Sequence, residues 1–327
     1  NTADATAMGP GVGLEVGNSI YFQMPRYQFA YWNADPKTAA KIRTLIASGH
    51  IDCLHSFGDT AARDQAAHAL DELHRHDCRL TVWVDHSRAP TNFGPDIMAG
   101  SGDVPTSPAY HADLSTQYGI AYVWRGRTSG ILGQDAPADF VDAAANLLQW
   151  RHPLVSARTL AKEMVKVHLG RRGHSRWKMH ALNRTCRPDA LRDGRPVWEF
   201  MRCDPFWGGQ SRAETADGLA RVLTPRNLKN LVERGGVWIL YTHLGKSSRP
   251  DGLLPPSACQ ALRHLAQCAS LGRIMVTTTS RLLRYLTVRD CLRYHARRFD
   301  RMVRIELQSV DDPVTGDLSF AALGDST

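Results

Sequence analysis

The sequence contains no apolar run of the roughly 18–20 residues that a membrane-crossing helix requires. Its longest candidate, Gly235 to Tyr241, has the length of a single strand. There is no Cys-x-x-Cys pair, and the seven cysteines, at positions 53, 78, 186, 203, 259, 268 and 291, make an odd number. That pattern argues against a disulfide framework and against a structural zinc knuckle, and it fits a reducing compartment. With no recognisable leader segment, the expectation is a cytoplasmic protein. Acidic residues are the scarcer charge: 32 Asp and Glu stand against 40 Lys and Arg, a net +8 with neutral histidine. Such a surplus favours anionic partners. It is spread along the chain and accompanies no nucleic-acid motif, so a nucleic-acid partner is not expected. What is present is an ordinary globular balance, 43% apolar and 22% charged, which excludes wholesale disorder. One β/α barrel can use all 327 residues.

Internal repeats are absent, and strand-like and helix-like patterns alternate. Ser19 to Gln23 reads as a short strand. A helix starts at Asp35-Pro36, with Asp at the cap and Pro in the first turn, and runs to about Ser48 before Gly49. His50 to His55 reads as a buried strand. Ala61 to His76 reads as a helix with Ala66, Leu70 and Leu73 on one face. Leu80 to Val84 and Ile120 to Trp124 are strands, and Ala138 to Trp150 is helical. Later come a helix at Asn227 to Arg234, a strand at Val237 to Tyr241, and a helix at Ser257 to Ser270. A strand at Ile274 to Thr277 and a helix opening at Ser280 to Tyr285 follow. Repeated strand–helix units imply a parallel sheet, open or closed into a barrel. Two stretches break the rhythm. Residues 151–196 are basic and read as an irregular insertion. Arg301 to Ser309 alternates with period two and, with Leu318 to Ala322, predicts a small C-terminal β extension over 291–327, after a first domain of 1–290.

Three strand ends gather chemistry. His55 closes the strand in Gly49-His50-Ile51-Asp52-Cys53-Leu54-His55, and Asp59 follows four residues later. Active sites of parallel α/β folds lie at that end of the strands. Imidazole and carboxylate both suit zinc and related divalent ions, although the same pair can simply cap a helix. His243 ends the apolar run Val237 to Tyr241, and its near-neutral pKa suits it to acid–base work. Asp85, His86 and Arg88 crowd a third strand end. The segment Arg202-Cys203-Asp204-Pro205-Phe206-Trp207 combines charge and aromatic faces of the kind that bind sugars, or else forms a packed turn.

The arrangement resembles the polysaccharide deacetylase (NodB-homology) superfamily. That family carries Gly-His-Glu-Ile-Gly-Asn-His-Thr-x-x-His, in which the last two histidines bind metal. Gly49, His50, His55 and Ser56 fit it in register, and Asp59 takes the place of the final histidine. The family's Thr-Phe-Asp-Asp-Gly is matched in part by Thr2-Ala3-Asp4-Ala5, with Ala5 where the second Asp usually stands. Arg88-Ala89-Pro90 echoes an Arg-x-Pro-aromatic motif, with Thr91 for the aromatic. The strand ending at His243 resembles the family's late Leu-His strand. The strand ending at Trp124 resembles one that usually carries Asp and Trp, but Arg125 and Arg127 follow here.

The resemblance implies a distorted parallel (β/α) barrel spanning roughly residues 1–286 and a metal-dependent hydrolase. Its action would remove an N-acetyl or other acyl group from a glycan or glycan precursor. It implies a divalent metal, zinc foremost, held by His55 and Asp59 with Asp4 as third ligand or general base, and Asp85 or His86 as a neighbouring substitute. The Thr91 N–H would face the oxyanion, His243 would protonate the leaving amine, and Arg88 would orient a carboxylate. Trp124, Arg202, Asp204 and Trp207 would contact the sugar. The competing expectation is a catalytically degenerate, glycan-binding barrel, which the departures at Ala5, Asp59 and Thr91 favour.

Overall fold

The computed structural model describes residues 5–6, 9–136, 143–144, 147, 153–205, 215–300 and 302–317. The protein is a mixed α/β structure with nine α-helices among the described residues and a mostly parallel six-stranded sheet. The sheet order is Ser19–Ile20, Cys53–His55, Val82–Val84, Tyr122–Trp124, Pro196–Phe200, Cys186–Ala190; only the last pair is antiparallel. Beyond bends at Arg125-Gly126-Arg127 and Met201, the central pair continues as a parallel match of Thr128–Ser129 with Arg202–Cys203.

The strands are short and buried on both faces, so they read as apolar runs rather than as alternation. Leu54, Trp83 and Val123 face a cluster with Ile42, Ile46, Leu70, Leu73 and Ala112, from the helices Pro36–Ala47, Arg63–Arg75 and Ala112–Tyr118. The alternate positions Cys53, Val82, Val84, Tyr122 and Trp124 face the other way, against Trp198, Phe200, Ile239 and Leu283. The period of two puts His55 on this second face, at the strand's C-terminal end.

Local signals explain the helix ends. Asp35 accepts hydrogen bonds from the amides of Lys37 (2.9 Å) and Thr38 (3.0 Å), Pro36 occupies the first turn, and Gly49 follows with φ +75°. Thr224 caps Pro225–Arg234 in the same way, and left-handed Gly235 closes it.

Three expectations change, and two further segments are placed in part. Residues 151–196 are not irregular: Pro153–Arg171 is a 19-residue helix and Cys186–Ala190 joins the main sheet. Leu160 and Val167 give that helix a core face, but Glu163 and Lys166 share the buried side and mask the pattern. Val237 to Tyr241 is extended without a ladder, meeting the sheet through a Gln134–Val237 bridge and the Cys203 N–H to the Ile239 carbonyl (2.9 Å). Ile274 to Thr277 likewise forms no strand; the Thr277 hydroxyl donates to Glu15 (2.6 Å). An apolar run fixes neither burial nor pairing: of these two segments only Ile239 is buried, Met275 is exposed, and a ladder needs a partner edge besides. The helix expected at Ala138 to Trp150 lies largely outside the described residues, although Ala143, Ala144 and Leu147 are helical. Finally, the C-terminal extension is a long hairpin, Leu292–Phe299 with Met302–Asp312, and Leu318 to Ala322 lie outside the described residues.

Candidate functional site

The turn after His55 builds the site. Ser56 adopts φ +38°, an uncommon conformation for a non-glycine residue, and its amide donates to Val84 O (2.9 Å). Gly58 follows at φ +132°; a Cβ there would lie 1.7 Å from the Gln23 carbonyl oxygen. Only glycine permits that approach. The result carries Asp59 back across the strand ends to His86, whose Nδ1 donates to Asp59 Oδ1 at 2.9 Å.

His55 is 4% exposed. Its Nδ1 lies 3.1 Å from the Val84 carbonyl, which can only accept, so Nδ1 carries the proton and Nε2 holds a lone pair. Burial, together with Arg202, His86 and His243, drives its pKa well below the ordinary value, so the ring is neutral. Tyr21 stacks on it (4.3 Å between centroids, 24°), and His86 meets both rings edge-on at 5.2 Å. Burial raises the Tyr21 phenol, which stays protonated. Tyr241 and His243 share a 2.7 Å hydrogen bond between the phenol oxygen and Nε2. Arg202 packs its guanidinium carbon over two rings, 4.0 Å from the Trp124 centroid and 4.4 Å from that of Tyr241. Its charge reaches both His55 and Tyr21.

Thus His55, His86, Asp59, Tyr21, Trp124, Arg202, Tyr241 and His243 converge at the C-terminal ends of four parallel strands. Beneath them lies a buried ion-pair network. Arg125 pairs with Glu199 (3.0 Å) and Asp189 (2.7 Å), and Arg127 binds both oxygens of Asp96 at 2.9 Å. Asp85 is also buried; it accepts from the Trp83 indole (2.7 Å) and the amides of Phe93 (2.9 Å) and Gly94 (2.8 Å), while burial pushes its pKa up to about 7.

No family model, curated protein or solved structure matches this chain. The site is therefore read from its own geometry.

Of the residues expected from sequence, His55, Asp59, Trp124, Arg202 and His243 are brought together. Asp4 and Trp207 lie outside the described residues. Asp204 is buried, its amide donating to Ser129 O (2.9 Å) beside this cluster. Two expectations separate from the site. Arg88 is exposed, at φ +56°, and its side chain pairs with no carboxylate among the described residues. Thr91 is fully buried, and its carbonyl accepts from His111 Nε2 (2.7 Å). Among the described residues no group of three His, Cys, Asp or Glu side chains is placed to hold a metal ion. Two imidazoles nonetheless suit one. His55 and His86 each commit Nδ1 to an oxygen acceptor and leave Nε2 as a lone-pair donor, the usual way a protein orients a histidine ligand. Asp59 acts on His86 in this arrangement, as the acceptor that orients its ring.

Sequence reasoning missed Tyr21 and Tyr241. Each lies on an extended segment next to the mouth and looks, in isolation, like a core aromatic. Their polar tips were the signal, since a buried phenol needs a partner.

Proposed function

We propose that this mouth is the active site of a hydrolase that removes an acyl group from a glycan or glycan precursor, on a scaffold of the distorted β/α barrel type. The observation that carries the reading is the meeting of His55 and His86, at two strand ends, with His243 of an extended segment around aromatic faces. Ile239 and Leu283 packed on the inner face of the sheet support the barrel, as does Asp52 accepting from the Ser280 amide (2.7 Å).

In this reading a divalent metal, zinc foremost, is held by Nε2 of His55 and of His86, with the remaining ligands from solvent, substrate or Asp4. Such an ion supplies Lewis-acid polarisation of the acyl carbonyl and a more acidic water. The chain's own groups do the rest. Val84 O and Asp59 fix the two ring orientations. His243, hydrogen-bonded to Tyr241, is placed to give a proton to the leaving amine or alcohol. Tyr21, Trp124 and Tyr241 offer flat faces to sugar rings.

The test is acetate release from N-acetylated and O-acetylated glycans, with and without a chelator, alongside metal content of the purified protein. The reading expects His55→Ala to lose bound metal and His243→Ala to keep it, with release falling about 100-fold or more in both. Metal content unchanged in His55→Ala overturns the metal assignment. Glycan binding without release in the wild type favours the degenerate, binding-only protein.

A further inference from the structure

Among the described residues, no carboxylate stands within ion-pair distance of Arg202, which lies in the mouth. It is 8% exposed, on a two-residue strand beside Thr128–Ser129. Its guanidinium packs on the Trp124 and Tyr241 rings, and ring stacking leaves the in-plane N–H donors at its edges for a partner. Among the described residues none of those donors has a hydrogen-bond acceptor.

The nearby acids are committed elsewhere: Asp59 to His86, Asp52 to the Ser280 amide. The neighbouring imidazoles of His55, His86 and His243 offer no negative charge in their place. A guanidinium set this deep has lost much of its hydration, and its donors still open to solvent at the mouth, where an anion would restore charge-assisted hydrogen bonds. Aromatic rings offset part of the lost hydration without taking up the N–H donors.

We propose that Arg202 is an anion anchor, binding a carboxylate or phosphate group carried by the substrate through two parallel N–H···O bonds. This rests on reading the mouth as a substrate site and narrows the substrate to an acidic sugar, a uronate-type or a phosphorylated glycan unit. Trp124 and Tyr241 hold the guanidinium plane in one orientation, so that little side-chain freedom is lost when the anion docks.

The experiment is calorimetric titration of the whole protein, kept in chelator so that no metal holds the anion. The probes are inorganic phosphate, glucuronate, N-acetylglucosamine 6-phosphate and neutral N-acetylglucosamine. Wild type, Arg202→Met and Arg202→Lys are compared after their thermal melts confirm folding. The expected result is binding of one or more anionic probes, weakened about ten- to a hundredfold in Arg202→Met. In Arg202→Lys the loss is partial, because a point charge replaces the fork. Glucuronate binding alone assigns the carboxylate source; binding of the two phosphates alone assigns the phosphate source. Should Arg202→Met not fold, the lysine variant carries the test, and an affinity equal to wild type overturns the proposal. Anion binding that is the same in all three proteins overturns it as well. So does a wild type that binds no anion while releasing acetate from neutral glycans, which leaves the hydrolase reading intact. Arg202-dependent anion binding in a protein that releases no acyl group keeps the anchor and removes the hydrolase.

Discussion

Protonation separates the histidines of this protein by what surrounds them. His111 is fully buried among Phe57, Trp83 and Phe93, donating from Nε2 to Thr91 O while Nδ1 takes the Ser115 hydroxyl proton (2.8 Å). Burial lowers its pKa from 6.5 to about 4. The folded ring stays neutral while the unfolded one gains a proton below pH 6.5. The stability His111 contributes is therefore complete above that pH and drains away as pH falls toward 4, by about 3 kcal/mol. Urea unfolding of wild type and His111→Gln across pH 4–7.5 checks this. Glutamine does not titrate, so the stability gap between the two should narrow on acidification; a constant gap contradicts the assignment. At Gly58 the prediction is steric. Gly58→Ala should cost more than about 1 kcal/mol, since φ +132° and the Gln23 carbonyl both oppose a Cβ, and it should displace Asp59 from His86. Thermal melts together with the titration of His86 followed by NMR report both effects.

Elements differ in how openly the sequence declared them. Asp35-Pro36 and Gly49 bracket the first helix as expected, because capping and φ preferences are local. The strand ending at His55 was also legible from its apolar run and the turn that follows. The helix Pro153–Arg171 was not, because Glu163, Lys166 and His180 are buried together with it, and charged residues at core positions erase amphipathic periodicity. Glu163 holds the Lys166 ammonium at 2.8 Å, and Lys166 also donates to Thr128 O (3.0 Å), tying this helix to the strand that pairs with Arg202. Removing the carboxylate strands a buried ammonium. Glu163→Ala should therefore destabilise by about 3–5 kcal/mol, and differential scanning calorimetry measures it. A loss below about 1 kcal/mol would show that the pair is not a structural tie. The candidate site was half legible for a related reason. His55 and His243 stood out as histidines ending apolar strands. The pairings Asp59–His86 and Tyr241–His243 arise from loop geometry, which spacing alone does not encode.

At the scale of the whole molecule, the hairpin after Cys291 stands apart from the body. Tyr294, Val303, Ile305 and Leu307 share one face of it by strand register, and all are more than half exposed. Its root is fixed where the Trp198 indole donates to Asp312 (3.0 Å). Since these four side chains bury little, changing all of them to Thr should shift stability by no more than about 1 kcal/mol. Melting curves and light scattering check this; a fall of several kcal/mol would mean that the face packs on the body in solution. Among the described residues no helix is long and apolar enough to cross a membrane.

The seven thiols are all unpaired, and Cys53, Cys78, Cys186 and Cys203 are buried within the framework that carries the mouth. Burial also raises their pKa, so an alkylating reagent in bulk water finds them protonated and out of reach. Cys53 and Cys203 flank His55 and Arg202 in the chain. Their rate of labelling is thus a clock for breathing around the mouth, and it can be read by mass spectrometry before any substrate is in hand. A compound that slows that clock at these two cysteines, and not at Cys259 or Cys268, identifies itself as a ligand of the mouth.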